Sequence, residues 1–532
     1  MNLLVVGNGF DLEHGLPTQY KDFLDFIYGF KILINGSYRK NGLKEFERIV
    51  INGENTYIDE VNNRKKEPRN FNEYVKNMLL YEDAFTIKGF EEWSNQDHVK
   101  NLKNYCDDNI WIEYFVDKRD KEKKTWIDFE SEISEVIQSL DYMRKYRIKA
   151  KENKSTYCNE KCFNIEGKVY KLLNRGINHR DINLLDYEEY KKIVIDRLKN
   201  DLNKLICALE IYLYVYVNNV DIKTIAPDIK NVEIDKVLSF NYTDTYNKIY
   251  LKNNINFMKY HYIHGHANLK EEKNNMIIGI DEYLDDDLIN KETDFIAFKK
   301  YFQRIYKKTG SEYKSWLNNM NKSDEHNNIY FFGHSLDVTD KDVIEELIIG
   351  SNKKTDITIF YYNEETYESQ IANLVKVIGK DELIKRVSRS ENSITFKKQK
   401  SSVSLELIYN IEKTSKELAK ELHNEEVYFN YSKNILNLGS DLYIYFEIIN
   451  NELINANLYI DKIDVHDVYG EYIRNINDIC TLAIKIKDDK YYIDTISYKL
   501  NNSVDKGNID GSLADILKYI YEDYTSKTWK YR

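Results

Sequence analysis

The chain has 532 residues, of which 42% are hydrophobic. That is enough for about two to four domains with sizeable cores, and it excludes a disordered or fibrous chain. The formal charge is −11 and no long basic block occurs, so nucleic acid is not the expected partner. Five cysteines, Cys106, Cys158, Cys162, Cys207 and Cys480, are odd in number and scattered, which argues against a disulfide framework and for a reducing cytoplasm.

In chain order, the first element is a strand. Leu3 to Val6 is a continuous apolar run before a glycine turn, the pattern of a buried parallel strand. The run is too short for a signal peptide. After Pro17, the residues Tyr20, Phe23, Leu24 and Ile27 fall at helical spacing, with Thr18 placed to cap the helix. Residues 31–230 read as a mainly helical insertion with charged loops. Its clearest helix lies within 187–218, where Val194, Leu198, Leu205, Leu209 and Tyr212 recur every three or four residues. The stretch LICALEIYLYVYV carries Glu210 and falls short of the roughly 20 residues that span a bilayer, so no membrane partner is expected.

From about residue 235 the pattern becomes strand–loop–helix. DKVLSFNYTDTY, YHYIHGHA, NNIYFFGHSLDVTDKDV and TDITIFYYNEE each read as a strand with polar residues at its C-terminal end, where ligands bind in open α/β sheets. The polar, basic RSENSITFKKQKSS at 390–404 reads as a linker. Beyond it come hairpins, one turning at Asp488-Asp489, and a helix near Leu513 to Tyr524. The expected organisation is an α/β core from 1–30 and 231–390. The helical insertion fills 31–230, and a C-terminal α+β regulatory or interaction module occupies 400–532.

Several stretches carry candidate chemistry. Gly7-Asn8-Gly9 after a strand can bring backbone N–H groups to a pyrophosphate, with Gly9 leaving room for the phosphate; a plain strand-to-helix turn is the competing reading. His261, His264 and His266 invite a metal, yet on a strand His261 would face away from the other two. Cys158 and Cys162 form one CxxxC pair with no second pair beside it, so no metal is expected. GHSLD at 333–337 lacks the final glycine of a nucleophile elbow. Asp128 and Glu130 in WIDFE fit a helix N-terminus better than a hydrolytic carboxylate pair, with Glu130 retained as a candidate.

The spacing GxGxxxxxGLP resembles the first loop of the sirtuin-like NAD-binding fold, and the later pieces follow in the same order. They are Asn241 in SFNYTD, His264-Gly265 in IHGH, the FGHSLDVTD loop and Asn363 in IFYYNEE. A closer resemblance is to the AbiH family of bacterial phage abortive-infection proteins. GNGFDLEHGLPTQYKDF, WIDFE, SFNYTDTY, YIHGH and FGHSLDVTDKDV look like that family's pattern through about residue 380. The resemblance implies an antiphage role and a sirtuin-like, Rossmann-type parallel sheet. It also implies that Gly7, Asn8, Gly9, Asp11, Gly15, Pro17, Thr18, Asp244, Gly333, His334, Ser335 and Asn363 hold NAD. Asn241 would contact the nicotinamide ribose or position water, and His264 would accept a proton. The four-cysteine zinc module of sirtuin deacylases has no counterpart, and Gln19 and Tyr20 stand where their loop carries an arginine.

The expected activity is therefore hydrolysis of NAD, as substrate, to nicotinamide and ADP-ribose. Cleavage of a bond activated by a pyridinium leaving group needs a held nucleotide, an oriented water and stabilised positive charge. An unrestrained NADase would kill its own cell, so a phage-encoded trigger protein, a homo-oligomer or a partner defence subunit is expected. Two alternatives are a non-catalytic sensor of NAD or ADP-ribose and a nuclease toxin.

Overall fold

The computed structural model describes residues 1–35, 57–59, 64–66, 92–122, 128–152, 157–173, 187–230, 232–251, 260–282, 293–352, 354–388, 393–400, 402–404 and 416, and further on the strand residues between 428 and 511. Its centre is a six-stranded sheet. The strands are β1 (Asn2–Val6), β2 (Lys236–Ser239), β3 (Tyr260–Tyr262), β4 (Asn327–Phe332), β5 (Thr355–Tyr361) and β6 (Ile394–Lys398). They lie in the order β3-β2-β1-β4-β5-β6, and every neighbouring pair is parallel.

β1 is unbroken in its apolar character because it is central. Leu4 pairs with Val237 on one side and Tyr330 on the other, and Val6 with Ser239 and Phe332. Its pleat sorts the side chains by face. Leu3 and Val5 join Ile329, Phe331, Ile357 and Ile359 in one core. Leu4 and Val6 join Val237, Phe332, Phe360 and Tyr246 in the other.

The chain leaves β1 into a short helix α1 (Asn8–Glu13) and then α2 (Tyr20–Asn35). The helical layer continues with α3 (Asp97–Cys106), α4 (Ile110–Glu122), α5 (Phe129–Lys151), α6 (Glu160–Leu173) and α7 (Tyr187–Ile211). The apolar stripe expected on the last of these is buried: Val194, Leu198, Leu205 and Leu209 pack in one core with Phe23, Phe26 and Trp111. The helix then passes into a π-helical turn at Tyr212–Tyr216. Tyr20 of α2 stacks on Phe129 at 4.1 Å, and Phe115 of α4 stacks on the same ring at 4.2 Å. That sandwich seats the first turn of α5 against α2 and α4. Around the sheet lie α8 (Thr245–Tyr250), α9 (Lys300–Lys307), α10 (Glu312–Lys322), α11 (Lys341–Ile349), α12 (Glu364–Ile378) and α13 (Lys380–Val387). Among the described residues no helix is long and apolar enough to cross a membrane.

Three local expectations change. The stretch read as a linker carries β6, whose Ile394 is buried and whose register runs Ile357↔Ile394 to Tyr361↔Lys398. Just after it, Val403 and Ser404 pair antiparallel with Ile225 and Thr224. Thr18 does not cap α2, because its hydroxyl donates to Asn8 Oδ1 at 2.7 Å. The histidines near 261–266 are not all on a strand, since β3 ends at Tyr262.

The C-terminal third contains an antiparallel sheet whose strands pair in sequence order from Tyr428–Asn430 through Ser503–Asp505. Tyr472–Lys487 and Lys490–Tyr498 form the hairpin expected around Asp488-Asp489, with Lys487 opposite Lys490. The helix expected near 513–524 lies outside the described residues.

β6 covers the open edge of β5, and an uncovered parallel edge exposes unpaired backbone groups. A chain ending after Ser404 is expected to keep a cooperative thermal transition of the core. A chain ending after Ser388 is expected to aggregate or lose that transition. Differential scanning calorimetry and light scattering on the two truncations check this.

Candidate functional site

The strand order reverses between β1 and β4, and ligands of open parallel sheets bind outside the carboxyl ends of the strands at such a point. Here two loops meet in direct backbone contact. The N–H of Gly7 donates to the Phe332 carbonyl at 3.1 Å, and the N–H of Gly9 to the Gly333 carbonyl at 2.8 Å. A Cβ on Gly9 would lie 2.8 Å from Gly333 Cα, and one on Gly333, whose φ is +67°, would lie 2.1 Å from the Phe10 nitrogen. Gly9 thus makes room for the facing loop, where the sequence suggested room for a phosphate. Asn241, at the end of β2, adds the third loop: its Nδ2 donates to the Gly7 carbonyl at 2.9 Å.

The facing loop is strained. Leu336 is fully buried with φ +58°, a conformation that costs a side-chain-bearing residue about 1–2 kcal/mol. Its N–H donates to His334 Nδ1 at 2.9 Å. His334 therefore carries its proton on Nε2, which faces Asp340 Oδ2 at 3.8 Å. Such strain concentrates where a site needs a fixed geometry.

His264 follows β3. Gly265 turns the chain with φ +75°, and a Cβ there would sit 2.2 Å from the Asn275 carbonyl oxygen. The turn brings His264 Nε2 to 3.0 Å from Asp340 Oδ1. The same Oδ1 receives Lys300 Nζ at 2.8 Å, and Lys300 also reaches Glu130 Oε2 at 2.8 Å. His264, His334, Lys300 and Asp340 are buried. One ammonium is thus held between two carboxylates inside the protein, with two imidazoles on one of them.

The charges follow from this arrangement. Burial pushes the Asp340 carboxyl up, but Lys300 and His264 more than offset it and hold it well below the usual carboxylate range. Burial lowers Lys300, yet Asp340 and Glu130 raise it above its ordinary value. Burial raises Glu130 to about 8; Lys300 opposes this and the Asp340 charge adds to it. Of the two acids sharing one ammonium, Asp340 keeps the charge and Glu130 takes up a proton first. Burial lowers His264 to about 4, against the pull of Asp340 and with the help of Lys300. At neutral pH His264 is an uncharged imidazole that donates Nε2–H to Asp340. Its Nδ1 is buried without a partner.

Glu130 also lines an open cleft of about 710 Å³. The first half of α5 supplies one wall, with Ser134 and Gln138, and Ile280–Glu282 and Asp337–Thr339 supply another. Asp337 to Thr339 belong to the segment that leads from His334 to Asp340, so the cleft adjoins the buried network.

A family model described as "Bacteriophage abortive infection AbiH" matches residues 3–362. The chain belongs to this family. No curated protein and no solved structure matches it.

In this AbiH-family chain the quoted motifs converge. WIDFE contributes Glu130, YIHGH contributes His264, and FGHSLDVTD contributes His334 and Asp340. Asp128 accepts the Glu130 N–H as the cap of α5. Asn8 and Thr18 bond each other, and the Pro17 carbonyl accepts the Tyr212 hydroxyl at 2.7 Å. Gly15 is a left-handed turn with open space around it. Asp244 pairs with Lys248 at 3.5 Å. Ser335 is exposed beside the site. Asn363 caps α12, its Oδ1 accepting the Thr366 N–H at 2.8 Å. The other two histidines go elsewhere, His261 to the Thr309 carbonyl at 3.0 Å and His266 toward Glu271 at 3.6 Å. Among the described residues no group of three or more His, Cys, Asp or Glu is placed to hold a metal ion. Sequence reasoning missed Lys300 and Asp340. A lysine pair set between aromatics in AFKKYF is the one signal that Lys300 is buried.

Asp11 forms a second, smaller group. It is 1% exposed, accepts from Thr243 Oγ1 at 2.6 Å, and leaves Oδ1 unpartnered. Burial, only partly offset by Thr243 and its neighbours, raises its carboxyl from 3.8 to about 6. The folded state therefore binds this proton more tightly than the unfolded state. Ionising Asp11 opposes folding fully above pH 6 and not at all below pH 3.8. Asp11→Asn is expected to be more stable than wild type at high pH, by up to about 3 kcal/mol. The gap should close as pH falls from 6 toward 3.8. Urea unfolding of both proteins across this range measures it.

Proposed function

We propose that this chain is an abortive-infection effector that binds NAD at the carboxyl edge of its parallel sheet and hydrolyses it to nicotinamide and ADP-ribose when triggered. Membership of the AbiH family carries the role in phage abortive infection. The strand order, with β1 and β4 adjacent at the reversal, is that of doubly wound dinucleotide-binding sheets and supports the nucleotide. The observation that carries the chemistry is His264: a buried imidazole at that edge, oriented by Asp340 through Nε2, with Nδ1 unpartnered.

In this reading water attacks C1′ of the nicotinamide ribose and the C1′–N bond breaks. Nicotinamide leaves with the bonding electrons as a neutral molecule. The water proton passes to His264 Nδ1 and then to solvent, and Asp340 stabilises the imidazolium in between, as a carboxylate does for a histidine base. Asn241 holds the Gly7 loop in place, and exposed Ser335 offers its hydroxyl to phosphate or ribose. The C-terminal third is the candidate gate, acting through a homo-oligomer or a phage-encoded trigger.

Nicotinamide release, measured by chromatography on the purified protein and in phage-infected cells, tests the reading. His264→Ala is expected to lose about two to four orders of magnitude in cleavage. Asn241→Ala is expected to lose less, since it acts through the loop. Calorimetric binding of NAD with no nicotinamide from the wild type, even during infection, would replace the enzyme by a sensor. Degraded RNA with intact NAD would replace it by a nuclease.

A further inference from the structure

A neutral base beside a buried carboxylate needs an explanation, because the carboxylate attracts the very proton that would silence the base. Burial of the ring opposes the charged form, while Asp340 pulls His264 toward the imidazolium. Here Asp340 Oδ1 is contacted by two donors at once, His264 Nε2 at 3.0 Å and Lys300 Nζ at 2.8 Å. We propose that Lys300 is the positioning residue of the site: anchored by Glu130, its ammonium shares the charge of Asp340 and keeps the imidazole of His264 uncharged with Nδ1 free.

The geometry supports each part. Lys300 is 4% exposed, so water does not screen its charge from Asp340. Its second contact, Glu130 Oε2 at 2.8 Å, comes from α5, whose first turn is fixed by the Tyr20–Phe129–Phe115 stack. The ammonium therefore has no freedom to swing away. Among the described residues, the charged groups that act on His264 are Asp340, Lys300 and Arg304. Arg304 is occupied by Asp342. His334 lies on the other oxygen of Asp340 as a neutral ring. Phe240 completes the surround edge-on at 5.4 Å. Lys300 is thus the cation that competes with His264 for the same oxygen, and its removal leaves the Asp340 charge to the imidazole.

The assignment deepens the proposed hydrolysis by naming what keeps its base active, and its kinetic consequence rests on that reading. Its primary test does not. The full chain, labelled with ¹⁵N-histidine, is titrated between about pH 5 and pH 8, and the imidazole nitrogens are read by long-range ¹H–¹⁵N spectra. His264 is assigned by the signal lost in His264→Gln. Wild type is expected to show the neutral Nε2–H form throughout. In Lys300→Met the midpoint should rise by about two pH units, giving an imidazolium near pH 6. Lys300→Arg should restore the neutral form. Lys300→Gln, which keeps a donor to Asp340 without the charge, carries the same expectation if the methionine variant does not fold. An unchanged His264 titration in the folded uncharged variants overturns the proposal, since a merely structural lysine would not move it. Where NAD is cleaved, the acid limb of kcat/KM should move up with the midpoint while KM stays near wild type. Absence of cleavage in the wild type counts against the hydrolysis alone, because the imidazole is read without substrate.

Discussion

An ammonium buried between two carboxyl groups governs this structure. Taking three ionisable groups out of water costs several kcal/mol per ion, and their mutual attraction repays that only when the geometry is good and the remaining polar atoms are satisfied. Lys300 meets the condition with two contacts at 2.8 Å, one to Glu130 and one to Asp340. The three residues come from α5, α9 and the segment entering α11, so the network joins the helical layer to the carboxyl edge of the sheet. A core of Leu and Phe would hold these elements together equally well. The charges add discrimination between proton positions, which an apolar core cannot provide.

Stability is surrendered at several points around this edge. Leu336 sits in a left-handed conformation, Asp11 is a buried acid with an oxygen unpartnered, and the His264 Nδ1 has no donor. Each opposes folding by an amount of order 1 kcal/mol or more. The surrounding sheet tolerates them because β1 is covered on both faces and paired on both edges. These departures gather at one end of an otherwise well-packed sheet, its carboxyl edge.

Much of this was legible in the sequence. Leu3 to Val6 announced a central strand because only a strand buried on both faces is apolar at every position. The stripe on α7 announced its buried face by period alone. What escaped were residues whose surroundings come from far along the chain. β6 looks like a linker because an edge strand buries little: Ile394 is covered while Lys397 and Lys398 are exposed, which is also how natural edges avoid pairing with other chains. Lys300 reads as surface because lysines usually are, and only Glu130 and Asp340, distant in sequence, make its burial tolerable. Gly9 was legible as a close approach, but not what approaches it.

The family match stops at residue 362, one residue after β5 ends, whereas the sheet is completed by β6 at 394–398. Every member of the charged network lies within the matched span, and so do β2 to β4 and all of β1 but Asn2. The edge strand and helices α12 and α13 lie beyond it. They are not remote from the site: Gln370 Nε2 of α12 donates to the His334 carbonyl at 3.0 Å, and Asn373 Nδ2 to the Ser335 carbonyl at 3.0 Å. The strained loop that carries His334 is therefore clamped from outside the matched span. This explains how short motifs far apart in sequence serve one site. The loops that carry His264 and His334 leave the parallel strands β3 and β4 at the same edge, and α5 and α9 bring Glu130 and Lys300 to it. The spacing along the chain is then set by the connections between these strands and helices, and only the residue at each element's end has to be right.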